Sequence, residues 1–367
     1  MIQGSGGSSP PASTVGVRCM LMRGGTSKGL FFLSSELPAD GAERDAMLLA
    51  IMGSGHPVQV DGVGGAHQLA SKVAVVSPSR RDDADIDYLF LQLGVDEATI
   101  TDQQNCGNIL AAVGPFAAER GLIQAVSPST TTRIHMVNSG SVVTATFATP
   151  GGVPDYAGDT AISGVPGHAA PVLLRFARTA GSTTGSLLPT GRVCDIVGGI
   201  EVTCVDNGMP VVVARAAGLG ISGHESYEEL ADDADLAGRV QALRLAAGKL
   251  MGLGDVAGLS VPKTSLVSAP RDGGTICTRT FIPVRLHPAI GVLGAISLAT
   301  ALRVPGSVGR ELAVLPDPGD RFDVEHPTGQ LEVEVDLDTA CDPPDVLSAG
   351  VVRTARKLFD GTVYPSR

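Results

Sequence analysis

The chain contains no tryptophan, and aromatic residues make up only 4% of it. Small and branched aliphatic side chains are therefore expected to supply most of its interior. It has no basic run and no basic segment with interleaved aromatics, and its formal net charge is −11. That argues against nucleic acid as a partner, which needs a clustered positive footprint. It also lacks an apolar run long enough to span a bilayer, so no membrane partner is expected. The six cysteines, at 19, 106, 194, 204, 277 and 341, form no CxxC pair and match no zinc spacing. Scattered through a long chain, they read as free thiols in a reducing cytosol, and a cytoplasmic location is expected. His67, His168, His224 and His326 have no partner pattern for a metal. No nucleophilic serine motif, P-loop or dinucleotide fingerprint occurs. The expectation is a protein with no metal and no cofactor.

What the chain has in abundance is glycine, 47 in 367 residues. With so few aromatics, this favours a strand-rich, turn-rich fold over a helical bundle. The length exceeds one ordinary core, so two domains are expected. Residues 1–16 are rich in Gly, Ser and Pro and carry neither a basic n-region nor an apolar h-region. They read as a flexible tail rather than a signal peptide. The Gly/Ser/Thr-rich stretch 181–191 reads as an interdomain hinge. The first domain then covers 17–185 together with about 353–367, and the second covers 190–352.

Within the first domain, Val17–Met22 and Leu30–Leu33 read as strands around a polar Gly-rich turn. A helix is expected from Pro38 to about Met52. Val73–Val76 is a buried strand by its unbroken apolar run, and Asp85–Leu93 alternates as another. Cys106 sits where strand-like sequence gives way to a helical stretch over 107–120, with a kink expected at Gly114-Pro115. A thiol at a helix start faces unpaired N–H groups and the positive end of the helix dipole, a setting that suits an acid/base cysteine and an anion. Asn105, Gly107 and Asn108 beside it are small and polar, which lets a ligand approach the backbone. A buried structural cysteine is the competing reading.

Lys72 lies between a Gly-rich turn, Asp61-Gly-Val-Gly-Gly65, and the apolar strand. Desolvation there would make it a usable base, although the local pattern alone favours a surface lysine at a strand end. Arg23 to Lys28, including Gly25, Thr26 and Ser27, can grip a carboxylate through backbone and side chains together. The same residues also suit a solvated hairpin turn. In the second half, Arg279 can pair with a carboxylate and His287 can carry a proton or be structural. Pro262-Lys263-Thr264 reads as a plain turn. The runs 106–112 and 290–296 echo each other, each opening an apolar helix after a strand and a polar turn. This suggests two pseudo-equivalent domains.

Leu21-Met-Arg-Gly-Gly-Thr-Ser-Lys-Gly29, Asp61-Gly-Val-Gly-Gly65, Ser71-Lys72, Gln104-Asn-Cys-Gly-Asn108 and Gly114-Pro-Phe116 occur in order in this sequence. Asp206-Asn-Gly-Met-Pro210, Ser260-Val-Pro-Lys263, Thr278-Arg-Thr280 and His326-Pro-Thr-Gly329 follow. Together they resemble the isomerase family that includes 2-methylaconitate isomerase and 4-oxalomesaconate tautomerase, over nearly the whole chain after residue 16. Arg81–Phe90 and Asp206–Val213 look most like the tautomerase branch. The resemblance implies the α+β, diaminopimelate epimerase-like fold: two pseudo-symmetric domains, each a curved sheet around a central helix, with the active-site cleft between them. It implies Lys72 and Cys106 as the acid/base pair, overriding the local reading of Lys72. Arg23, Gly25, Thr26, Ser27, Ser71, Asn105, Gly107, Asn108, Lys263, Arg279, His287 and Gly291 are then expected to contact substrate.

The implied activity is a cofactor-independent proton and double-bond shift in an unsaturated tricarboxylate. The first expectation is 4-oxalomesaconate tautomerisation in aromatic-acid (gallate or protocatechuate) breakdown, and the second is 2-methylaconitate cis-trans isomerisation. A noncatalytic polycarboxylate-binding protein is the reading from another class. The expected partner is the small-molecule polycarboxylate, with a homodimer left open. Ile290, near the second helix start, has no ionisable group, so racemisation by paired thiols is not expected. His67 and Ala289 depart from the acidic residue and serine expected at their positions in the tautomerases.

Overall fold

The computed structural model describes residues 15–102, 106–177, 179–317, 321–341 and 344–366. Residue contacts divide the chain into two units. One holds Met1–Gln124, Ile134–Gly140 and Ala355–Arg367, and the other Ala125–Arg133 and Ser141–Thr354. This grouping and the sequence-based boundary near 185 cut the chain at different places.

The first unit opens with the hairpin β1 (Val17–Gly24) and β2 (Ser27–Leu33). Helix α1 (Gly41–Met52) follows, capped by the Asp40 carboxylate, which accepts from Ala42 and Glu43 N–H. Next come β3 (Lys72–Pro78), β4 (Ile86–Leu93), the two-residue β5 (Ile100–Thr101), α2 (Gly107–Leu110) and α3 (Val113–Glu119). Strand β2 runs parallel to β3, and β3 antiparallel to β4. Leu48, Ile51 and Met52 of α1 pack with Leu30, Phe32, Val73, Val75 and Leu91 on one sheet face. Residues Ile109 to Val113, Phe116 and Ala117 are fully buried, and the Phe116 ring lies 5.5 Å from that of Phe31. A helix apolar all round belongs inside a core, so α2 and α3 form the centre of this unit.

Helix formation over 107–120 is not continuous. It breaks at Ala111–Ala112, three to four residues before Pro115. Proline lacks an N–H and its ring crowds the carbonyl four residues earlier. The break therefore falls one turn ahead of the expected kink at Gly114-Pro115.

Strand β6 (Ser129–Met136) passes between the two groupings, its residues 134–136 pairing in parallel with β4. The second unit continues with β7 (Ser141–Ala148), β8 (Pro171–Phe176), β9 (Asp195–Val197), β10 (Ile200–Asp206) and β11 (Pro210–Arg215). Strands β9 and β10 form a hairpin turned by Gly198 and Gly199, both at positive φ (60° and 83°), as a two-residue primed turn requires. Residues 181–184 form a turn held by the Asp206 side chain, which accepts from Thr183 and Thr184 N–H, each at 2.8 Å.

Helices α4 (Tyr227–Ala231) and α5 (Ala234–Leu250) are separated by Asp232 and Asp233, and β12 (Lys263–Ser268) and β13 (Ile276–Phe281) follow. Helix α6 (Val292–Arg303) is buried from Gly294 to Leu302 and is followed by β14 (Arg321–His326) and β15 (Gly329–Asp338). The last strand, β16 (Asp345–Val363), pairs through residues 350–354 with β8 and through 355–363 with β1.

The order of elements repeats. In β1-β2-α1-β3-β4-α2-α3-β6-β7, the first two strands are antiparallel, β2 and β3 parallel, β3 and β4 antiparallel, and β4 and β6 parallel. The same alternation recurs in β10-β11-α4-α5-β12-β13-α6-β14-β15. The repeat makes α6 the counterpart of α2–α3, as the echo between 106–112 and 290–296 suggests.

Candidate active site

Lys72 is the first residue of β3, and the chain that delivers it is fixed from within. Gln59 is 1% exposed and sits at φ 49°. Its Oε1 accepts from Ala66 N–H at 2.8 Å and Ser71 Oγ at 2.9 Å, which ties down both ends of the loop before Lys72. His67 caps the short 3-10 turn Gln68–Ala70 by accepting Leu69 N–H on Nδ1. An acidic side chain performs the same capping task, which accounts locally for histidine at this position.

Lys72 is 7% exposed. Directly across the β3–β4 ladder is Gln92, whose Oε1 accepts from Lys72 Nζ. The Phe90 ring, two residues back on the same face, lies 5.2 Å from Nζ. Burial pushes the amine below its ordinary value, while the nearby Cys106 sulfur pulls it back up. Tyr88, third on that strand face, is fully buried. Burial, and then the Cys106 charge, push its phenol well above the ordinary range. Its hydroxyl points at the Cys106 carbonyl, 3.5 Å away. Tyr88, Phe90 and Gln92 were not singled out from sequence. The alternation of 85–93 carried the signal, since it places all three on one face.

Cys106 occupies the residue before α2 in extended backbone geometry (φ −123°, ψ 97°), with its carbonyl accepting from Leu110 N–H. Because α2 is four residues long, the dipole of a long helix, expected from sequence, is absent here. The first-turn N–H groups remain. The β1–β2 turn packs directly on this start. A Cβ at Gly24 would sit 2.4 Å from the Asn108 carbonyl oxygen, and one at Gly25, where φ is +51°, 2.2 Å from Asn108 Oδ1. Asn108 Nδ2 donates to Thr26 Oγ1 at 3.1 Å, and Arg23 Nη1 to the Gly25 carbonyl at 2.9 Å. Ser27 Oγ and Asn108 Oδ1 are buried with no hydrogen-bond partner among the described residues. The structure thus gathers Arg23, Gly25, Thr26, Gly107 and Asn108 at one turn, and couples Cys106 to Lys72. Ser71 is buried with its hydroxyl on Gln59. Asn105 lies outside the described residues.

In the second unit Lys263 opens β12 as Lys72 opens β3, and burial pushes its amine down as well. The preceding loop is clamped by the fully buried Arg244, which donates to the carbonyls of Val256, Leu259 and Val261. Arg279 is 5% exposed, and its guanidinium contacts the Glu225 and Thr278 carbonyls and Cys277 Sγ. His287 Nδ1 accepts from Ala289 N–H at 3.0 Å, and burial, with Lys263 adding to it, lowers its imidazole. Gly291 precedes α6 with no side-chain cap. No ionisable side chain therefore stands at the topological counterpart of Cys106.

His326 was not among the expected site residues. Burial first, then the Arg353, His287 and Arg279 charges, push its imidazole down to about 4, against a smaller opposing effect of the hydrogen bond with Gln330. An unfolded histidine takes its proton near 6.5, so the unfolded state binds that proton first as pH falls. His326 thus contributes stability that is complete above about 6.5 and lost as pH drops toward 4. Thermal unfolding across this window should show a falling melting temperature for the wild type and a shallower fall for His326→Gln. Equal slopes would show that His326 does not carry the effect.

A family model described as PrpF protein matches residues 14–366. The (4E)-oxalomesaconate Delta-isomerase of Novosphingobium sp. (strain KA1) is 56% identical over 347 residues, 94% of this chain and 96% of that protein. The 4-oxalomesaconate tautomerase of Pseudomonas putida is 54% identical over 353 residues, 96% of each. Among solved structures, a methylitaconate-delta-isomerase aligns with a TM-score of 0.87 at 32% identity, covering 96% of each chain. The fold is the diaminopimelate epimerase-like one expected from the resemblance.

Proposed function

The chain belongs to the PrpF family, and from that premise we propose that it is an isomerase that tautomerises 4-oxalomesaconate without a cofactor. The observation that carries the chemistry is Lys72, a buried amine held below its ordinary proton affinity and coupled to Cys106 in the same unit. The substrate reading rests on the 56% and 54% identity to the two oxalomesaconate enzymes.

Lys72 takes the proton next to the carbonyl or the conjugated carboxylate, leaving a dienolate. Cys106 returns a proton at another position, and the double bond moves. A base works best with a pKa close to the working pH, and desolvation moves Lys72 in that direction. Hydroxyl and N–H donors of the β1–β2 turn and of the α2 start suit a substrate carboxylate and the charge that develops on the dienolate. We place the reaction in aromatic-acid breakdown, after ring cleavage of gallate or protocatechuate. The 2-methylaconitate isomerisation is the second reading.

The deciding experiment incubates EDTA-dialysed protein with 4-oxalomesaconate, 2-methylaconitate or methylitaconate in D₂O and follows deuterium by NMR. The expected result is isomerisation with deuterium uptake, fastest on 4-oxalomesaconate and unaffected by the dialysis. Faster turnover of 2-methylaconitate would transfer the assignment to it. Binding of all three without turnover would support the noncatalytic reading. Activity lost on chelation and restored by one divalent metal would remove the cofactor-free mechanism.

A further inference from the structure

Gln92 sits opposite Lys72 in the ladder, and its amide has a single orientation. The two N–H groups of Nε2 face three backbone carbonyls, those of Gln68 (3.2 Å), Ser71 (3.0 Å) and Leu93 (3.2 Å), with one donor shared between two of them. An amide oxygen turned toward three carbonyl oxygens would be repelled by all of them. Oε1 must therefore face the other way, toward Lys72 Nζ. We propose that Gln92 is a positioning residue, whose oriented amide oxygen holds the Lys72 side chain where its nitrogen exchanges protons with substrate. This rests on the reading of Lys72 as the proton-accepting group.

The choice of residue type matters. A long side chain at a strand end has many rotamers, and holding one of them is what brings a base within reach of a proton. Phe90 provides a face for the ammonium but no direction along the strand. The Gln92 oxygen supplies that direction. A carboxylate here would hold Lys72 equally well but would favour its charged form strongly. A neutral amide orients the amine and still lets it release its proton. Gln92 also joins the Gln68–Ser71 segment to β4 through the same amide, so a purely structural role is the competing account.

The test compares Gln92→Met and Gln92→Glu in the full-length protein, with folding checked by thermal melting. The chain has five lysines, so NMR of their side-chain nitrogens can follow each one, with the Lys72 signal identified by its loss in Lys72→Met. In Gln92→Met the Lys72 titration midpoint should fall, and in Gln92→Glu it should rise, each by roughly one pH unit. The acid limb of kcat/KM should move the same way, with kcat about 10-fold to 10²-fold lower in Gln92→Met and KM little changed. Folded variants in which the Lys72 midpoint stays put, or in which both substitutions move it in one direction, would overturn the proposal. If the midpoint moves as expected but Lys72→Met retains full turnover, it is the base assignment that fails instead.

Discussion

Lys72→Met is expected to lower kcat by ~10²–10⁴-fold, the usual contribution of a general acid–base group, while the melting temperature stays close to wild type. Methionine keeps the apolar stem that packs in this buried place and removes only the amine. Lys72→Arg sharpens the test. Arginine keeps the positive charge, but it stays protonated at any working pH and does not act as a base. If Lys72 served only to attract a carboxylate, arginine would preserve most of the activity. If it takes a proton, arginine should fail nearly as badly as methionine. In the wild type, burial lowers the Lys72 pKa, so the free amine appears at a lower pH than for an ordinary lysine. The ratio kcat/KM should therefore rise with pH along an acid limb and level off once Lys72 is deprotonated. Near-normal kcat in Lys72→Arg, with the acid limb intact, would remove Lys72 from proton transfer.

The location of Lys72 was legible in sequence because two strong local signals meet there, a glycine-rich turn and an unbroken apolar run. Its burial was not. Whether a lysine at a strand end is solvated depends on what lies opposite, and that is set by the β3–β4 register. Gln92, Phe90 and Tyr88 were invisible as partners for the same reason. Alternation shows that they share a face but does not say which residue of another strand they meet. The helix after Cys106 shows a different limit. The proline was visible and a kink was expected, but proline acts on the carbonyl four residues earlier. The break at Ala111–Ala112 leaves a single turn after Cys106.

Long-range pairing was the least legible feature. Glycine count and strand patterning suggested a strand-rich chain, and the likeness of 106–112 to 290–296 suggested a repeat. The repeat becomes secure only through the matching order of parallel and antiparallel pairs. Strand β16 was hidden because its two halves serve different neighbours, and residues 356–360 within it are exposed. Such a strand has no single hydrophobic period to detect. In the second unit, Arg279 was expected as a carboxylate ligand, yet it is 5% exposed and bonded to neighbouring carbonyls. Its charge was legible, and its bonds to those carbonyls were not.

Cys106→Ala is expected to lower turnover by a similar ~10²–10⁴-fold, but to fail at a different step. With Lys72 intact, proton removal should continue, and Lys72 can return a solvent deuteron to the carbon it deprotonated. In D₂O the variant should therefore wash deuterium into unisomerised substrate faster than it shifts the double bond. Lys72→Met should show neither exchange nor isomerisation. Isomerisation that slows while exchange continues is the pairing expected of two groups that share one proton path. A purely structural cysteine would instead lower exchange and isomerisation together, along with thermal stability. Cys106→Ser separates size from chemistry, since serine fills nearly the same volume but is a far weaker acid. Its isomerisation should fall nearly as far as that of the alanine variant. Wild-type isomerisation in Cys106→Ser would place the returning proton on another group and end the two-residue mechanism.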